Sequence, residues 1–279
     1  MDRKRRKVCT MSLPRQLFRI ELERALTYRL DFIMRILAKA LSVSLISWFL
    51  WKSIFAANQT QEIGGITLEQ MGVYYLFLPL TLMLVMNLDY DSLSTDIYDG
   101  SLSKYLLYPR SYLWMTFVRK IASSWISIAP YLVVWFGFVL LLPHSALAQT
   151  PIEVLFFYLI WSLIAFPCFF LLSSILDLLA FWFEQTWSLR SILRFTALFL
   201  GGGYVPTELF PEGLRYWVEL LPAHSMLGFQ TLVLAKGTLP AAETLYHQLS
   251  LLMAWSLVSG GVVWILWRRG LKVFSGSGM

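Results

Sequence analysis

Three histidines, two cysteines and a carboxylate set inside an apolar run are the residues of this chain whose types could do chemistry. A metal site needs such residues gathered at ligand spacing, and nucleophilic catalysis needs a nucleophile within reach of its base. His144, His224 and His247 stand alone, with no H-E-x-x-H pattern, and read as surface or interface side chains. Cys9 and Cys168 are far apart and have no histidine partner in sequence, which indicates neither a disulfide framework nor a zinc site. The run "GGGY", Gly201 to Tyr204, lacks the lysine and the preceding strand of a phosphate loop. The run "GSLSKY", Gly100 to Tyr105, holds a serine and a lysine without nucleophile-elbow spacing. Asp177, in "SSILDLLAFWFEQ", is the one carboxylate well inside an apolar stretch. An intramembrane carboxylate can relay protons. The plainer reading is that Asp177, like Glu184, sits at a helix end, paired with Arg190 or Arg194. No catalytic, cofactor or metal residue is assigned to this chain.

The elements that must position these residues are membrane helices. Of the 279 residues, 57% are hydrophobic, 16% aromatic and only 14% charged, with a mean hydropathy of +0.61. A soluble domain carries about 25% charged residues, so the composition is that of a membrane protein. Twelve tryptophans and thirteen tyrosines fit, because such rings favour the lipid–water boundary. A span needs about 20 apolar residues. Six stretches qualify: Phe32–Phe55, Met71–Leu88, Ile121–Leu142 (with a helix that can begin near Ser111), Ile152–Phe183, Ser188–Tyr204 and Leu249–Trp267. Pro79, Pro130 and Pro167 lie inside spans, where neighbours can satisfy the freed carbonyls.

The expected fold is an all-α integral membrane protein, one transmembrane domain over residues 1–279. The N-terminal segment, residues 1–29, continues its charges through Arg15, Arg19, Glu21, Glu23, Arg24 and Arg29, unlike a cleavable signal. Phe18, Leu22, Ala25 and Leu26 form a helical stripe, the mark of an interfacial helix on the inner membrane surface, though Glu21 and Arg24 interrupt its other side; the alternative is a solvated basic tail. Residues 30–204 hold spans one to five, with an inner loop at 89–111. Residues 205–247 form an outer-side loop, and residues 248–279 the last span and a tail. Basic residues crowd alternate loops: Arg3 to Lys7 in the tail, Lys104 and Arg110 after the second span, Arg190 and Arg194 after the fourth, and Arg268, Arg269 and Lys272 at the end. By the positive-inside rule these lie in the cytoplasm, with both termini inside. Arg35 and Lys39 near the start of the first span snorkel to the headgroups. The net charge of +6 thus reflects topology, and no nucleic-acid partner is indicated.

Two connecting segments carry their own pattern. In "DYDSLSTDIYDGSLSKYLLYPR", Asp89 to Arg110, Asp89 and Asp91 precede a short helix that Ser92 or Ser94 can cap. Gly100 can break it, Leu102, Leu106 and Leu107 give an apolar face beside Lys104, and Pro109 stops it. Such a face suits a groove on a partner protein or the lipid surface, and the residue types alone do not choose. The second segment, Tyr204 to Leu239, is half apolar and broken by Pro206, Pro211 and Pro222. It is expected to form short helices dipping into the outer leaflet, covered by protein or water.

The order of these features resembles the permease subunit of ABC transporters of the type-2 exporter class. Asp99, Gly100, Leu106, Leu107 and Pro109 match the family's acidic residue, glycine, leucine-rich turn and proline after the second span, although the acid is often glutamate. Gly202, Val205, Pro206, Phe210, Pro211, Leu221, Pro222 and Gly237 match its motif after the fifth, with Phe229 and Gln230 standing where a Tyr-Pro is common. The resemblance covers nearly the whole chain. It implies a coupling helix at about Asp96 to Tyr108 that contacts a separate ATP-binding subunit, present in two copies, with ATP and magnesium held there. It implies a second permease subunit, identical or related, and export across the inner membrane of a lipid, glycan or hydrophobic compound. An ATP-independent channel, or a membrane anchor for a complex, would share the topology; a channel would need more polar faces along its spans.

Overall fold

A computed structural model describes residues 13–86, 93–141, 150–183 and 186–274. Asp89, Asp91, Ser92, His144, Glu184, Cys9 and the Arg3 to Lys7 tail lie outside the described residues. The chain opens with α1, Leu13–Thr27, and turns at Tyr28 into the 30-residue α2, Arg29–Asn58. A two-residue hairpin, β1 Glu62–Ile63 and β2 Ile66–Thr67, leads into α3, Leu68–Thr81. Thr67 and Gln70 form a reciprocal capping box there, satisfying two backbone donors that the helix itself leaves open. Past Pro79 the helix widens into a π-turn, Leu82–Met86.

Two short helices follow, α4 Leu93–Tyr98 and α5 Leu102–Leu106. Next come α6 Tyr112–Ile126, α7 Ile128–Leu141, and α8 Ile152–Leu178 with a 3-10 turn at Leu179–Phe181. After α9, Trp187–Leu200, the chain makes a 3-10 turn at Thr207–Leu209 and α10 at Glu212–Glu219. A π-turn, His224–Gly228, leads into α11, Phe229–Lys236, and α12, Ala242–Val273, closes the fold.

Among the described residues, five segments are long and apolar enough to cross a bilayer: Arg29–Asn58, Leu68–Met86, Tyr112–Gly137, Ile152–Phe181 and Ala242–Val273. They answer five of the six expected spans. The third starts at Tyr112, so Arg119 and Lys120 lie within its helix. The expected fifth span, Ser188–Tyr204, is shorter than anticipated: α9 has 14 residues, about 21 Å, against a hydrocarbon core of about 30 Å. The glycines at 201–203 end it. The pair formed by α10 and His224–Lys236 is apolar enough for a span but bent by 82°. The count is therefore five, or six with that broken pair.

The core runs along the bundle axis. The last span packs on α8, α3 packs on α2 and α11, and α11 fills the space between α3 and α8. Residues 222–235 are buried without interruption. A sharply bent backbone at membrane depth is tolerated where protein covers it. Here α3, α8 and α12 supply the cover. At the end of the bundle that carries α1, a second cluster joins Leu93, Ile97 and Leu102 to Tyr112, Leu178, Phe181 and Val263.

Candidate functional site

The segment between α3 and α6 folds as a helical hairpin clamped to the bundle. Neither α4 nor α5 is long enough to be stable alone, since short helices are marginal in water. Gly100 ends α4 with φ of +70°, a conformation that costs a residue with a Cβ roughly 1–2 kcal/mol. Leu93 and Ile97 bury one side of α4 against Leu178–Phe181. Asp96 ties three elements: one carboxylate oxygen accepts from Ser101 Oγ at 2.8 Å, the other from the Tyr112 hydroxyl at the start of α6. The Tyr112 ring stacks on Trp267 of α12 (centroids 6.1 Å apart) and meets Tyr105 of α5 edge-on at 5.2 Å.

Of the seven residues assigned to coupling from sequence, Asp96, Asp99, Gly100, Leu102, Leu106, Leu107 and Pro109, some are buried and others exposed. Leu102 does not share a face with Leu106 and Leu107: it is 0% exposed, inside the cluster. Leu102 starts α5 against the bundle, whereas Leu106 ends it and Leu107 follows it, both in the open. Asp96 is likewise an anchor, and Ser94 lies inside α4. Asp99, Leu106, Leu107, Tyr108 and Pro109 are exposed, Leu107 at 88%. The outward apolar surface is therefore Leu106, Leu107 and Tyr108 beside Lys104.

Asp177 immediately precedes the Leu178–Phe181 segment on which α4 rests. It is buried and forms an ion pair with Arg190 of α9 at 3.5 Å, one of the two partners expected from sequence. Lys120 of α6 acts on it as a second cation. Three helices thus meet at one buried charge cluster directly behind the hairpin.

The glycine and proline positions after α9 build the opposite side of the core. Gly202, at φ +84°, accepts the Tyr74 hydroxyl on its carbonyl at 2.9 Å, and Tyr204 accepts Tyr75 at 2.7 Å. Pro206 and Pro211 immediately precede the 3-10 turn and α10, where a fixed φ suits a helix start, and Pro222 stands in the bend. A seam of hydroxyls and amides, unforeseen from sequence, holds the bent pair. Thr81 meets Tyr158 at 2.8 Å and Thr231 at 2.9 Å, Ser162 donates to Gln230 at 2.8 Å, and Trp161 donates to the Ser225 carbonyl at 2.8 Å. Ser225 also bonds Gln248 of α12. His224 is buried and bonds Thr207 at 2.9 Å, whereas His247 is exposed. Near this seam the Glu208 carboxyl is pushed above its usual range chiefly by burial, against the pull of Lys236 and Arg215. Polar residues in an apolar run, such as Gln230 and Thr231, were the available signal for the seam.

A cavity of about 400 Å³ opens at the α1 end, between α1, α2, α3, α6 and α9. The supposedly interrupted side of α1 faces the protein: Glu21 is buried and pairs with Arg119 at 3.4 Å, and Arg24 lines the cavity. Arg35, paired with Asp31 at 2.7 Å, and Lys39 line it too.

Among the described residues no three histidine, cysteine, aspartate or glutamate side chains gather as metal ligands. A family model described as "ABC-2 family transporter protein" matches residues 41–278. No curated protein and no solved structure matches the chain.

Proposed function

The chain belongs to the ABC-2 family of transporter proteins, and from that premise we propose that it is the membrane half of an ATP-driven exporter. Permease subunits of this family are not catalytic, and ATP hydrolysis takes place on a separate nucleotide-binding subunit. Two copies of that subunit, holding ATP and magnesium, bind two permeases, this chain with itself or with a related chain. The assembly lies in the inner membrane with both termini in the cytoplasm, in keeping with the alternating Lys and Arg loops. In this reading α1 is the interfacial helix, α4–α5 the coupling element, and α10–α11 a re-entrant pair on the outer side.

The observation that carries the reading is the exposed surface of Leu106, Leu107 and Tyr108 on a hairpin whose other side is locked to α6, α8 and α12. An exposed apolar ledge on a rigid base transmits force; on a loose loop it would absorb it. When the nucleotide-binding subunits close, a push on the ledge passes through Asp96–Tyr112 and the Tyr112–Trp267 stack into two spans. Rigid-body shifts of packed helices then exchange the inward and outward states.

The test uses Leu107→Asp, which touches no core contact. Its melting curve should match wild type, while co-purification with the nucleotide-binding subunit and ATP-driven export each fall at least about tenfold, as expected for losing an anchor residue at an interface. Unchanged export with Leu107→Asp and with Leu106→Asp together would refute the coupling role.

A further inference from the structure

The cavity at the α1 end has a built-in gradient from charge to grease. On α2, Asp31, Arg35, Lys39 and Val43 recur every four residues and all line it, so one face of the helix carries the gradient. From Asp31 to Val43 is about 18 Å along the axis. On α9 the same sequence is repeated: Arg194 and then, one turn further in, Leu198. Pro79, Leu82 and Met83 of α3 complete the apolar wall. Four cations line the cavity against two carboxylates, and both carboxylates are engaged, Glu21 with Arg119 and Asp31 with Arg35. The lining therefore has an excess of two positive charges.

Lys39 stands ten residues into a membrane-spanning helix, about 15 Å from its start. A charged side chain on a spanning helix that lines a cavity, as Lys39 does, is the usual mark of a ligand pathway. A space whose mouth is cationic and whose inner wall is apolar is complementary to a molecule with an anionic head and an apolar tail. About 400 Å³ is the size of a small-ligand pocket, enough for a headgroup and the first carbons of a chain but not a whole lipid. The remainder of the tail would stay among lipid chains beside α2 and α9, whose outer faces expose Ile46, Phe49, Ile192 and Phe195.

We propose that this cavity binds the anionic headgroup of a membrane amphiphile, a phosphate or similar oxyanion on an apolar tail, drawn from the leaflet on the α1 side. That this amphiphile is the cargo rests on the permease reading above; the binding itself does not.

The experiment is a calorimetric titration of the purified full-length chain in neutral detergent, without ATP or any partner subunit. The probes are dioctanoyl phosphatidylglycerol, dioctanoyl phosphatidylcholine and inorganic phosphate. Saturable binding of phosphatidylglycerol is expected, with the other two at least about tenfold weaker. Arg194→Gln and Lys39→Gln should each weaken phosphatidylglycerol about tenfold, the usual effect of losing one charged hydrogen bond, and Lys52→Gln at the other end of α2 should not. Val43→Phe should weaken phosphatidylglycerol and leave inorganic phosphate unchanged. Arg194 is exposed, so its variant reads out binding even if the Lys39 variant folds poorly. Equal binding of phosphatidylcholine would overturn the proposal as an unselective lipid contact. Inorganic phosphate binding as tightly as phosphatidylglycerol would overturn it as a site for a free anion, and an Arg194→Gln chain that binds like wild type would overturn the location. Leu107→Asp should bind phosphatidylglycerol as wild type does, so a failure of the coupling role and a failure of this site give different results.

Discussion

Replacing Gly202 by alanine tests the linchpin of the core around the bent pair. Its φ of +84° lies in the region that residues with a Cβ avoid, at a cost of roughly 1–2 kcal/mol. A Cβ built there comes within 2.6 Å of the Tyr74 hydroxyl, closer than real Cβ atoms approach. That hydroxyl is the one bonded to the Gly202 carbonyl, and Tyr74 is buried. Relief requires the ring to move, which leaves a buried hydroxyl and a buried carbonyl unmatched at a cost of about 1–3 kcal/mol. Together the two effects cost about 2–5 kcal/mol. Thermal unfolding of the purified full-length chain in detergent should show a Tm lowered by more than about 5 °C. Tyr74→Phe removes the clashing oxygen, so Gly202→Ala in that background should cost less than in wild type by about 1 kcal/mol or more. A Gly202→Ala chain that melts with wild type, or a double variant equal to the sum of the singles, would show that the Gly202–Tyr74 contact does not govern this region.

Other expectations follow from the same geometry. Leu102→Asp buries a carboxylate in an apolar cluster and should destabilise the chain by at least about 3 kcal/mol in denaturant titrations, whereas Leu107→Asp stays within about 0.5 kcal/mol of wild type. Asp177→Ala leaves Arg190 and Lys120 without their shared carboxylate and should cost about 3 kcal/mol; a melting curve unchanged by it would show that the cluster is hydrated rather than buried. Thr81→Val removes the hydroxyl shared by Tyr158 and Thr231 and should cost about 1 kcal/mol, near the measured worth of interhelical hydrogen bonds in membranes. For Glu208 the folded-state pKa lies above the unfolded one, so its contribution to stability is fully present at low pH and is lost as pH rises through the raised value. Melting temperature should therefore gain from acidification above the ordinary glutamate range, and Glu208→Gln should remove that gain. Lys104→Cys should react with an impermeant thiol reagent only from the cytoplasmic side; labelling from outside would invert the topology.

Length and hydropathy along the chain were enough for the membrane class and for five spans, though not for where each helix begins and ends. The breaks at Gly100, Pro206, Pro211 and Pro222 were legible because backbone restrictions are local. That Asp177 pairs with Arg190 or Arg194 was legible because a carboxylate in an apolar run needs a cation; the fold chose Arg190. Only the tertiary structure decided that Leu102 packs inward while Leu107 points out, that α9 stops short, that a bent pair with Gln230 and Thr231 fills the core between α3 and α8, and that Arg35, Lys39 and Arg194 meet around one cavity. The physical reason is that lipid is as apolar as a protein core. In water, the apolar stripe of a helix marks its buried side; in a membrane the buried and lipid-facing sides read alike, so sequence tells how long a span is but not which way it turns.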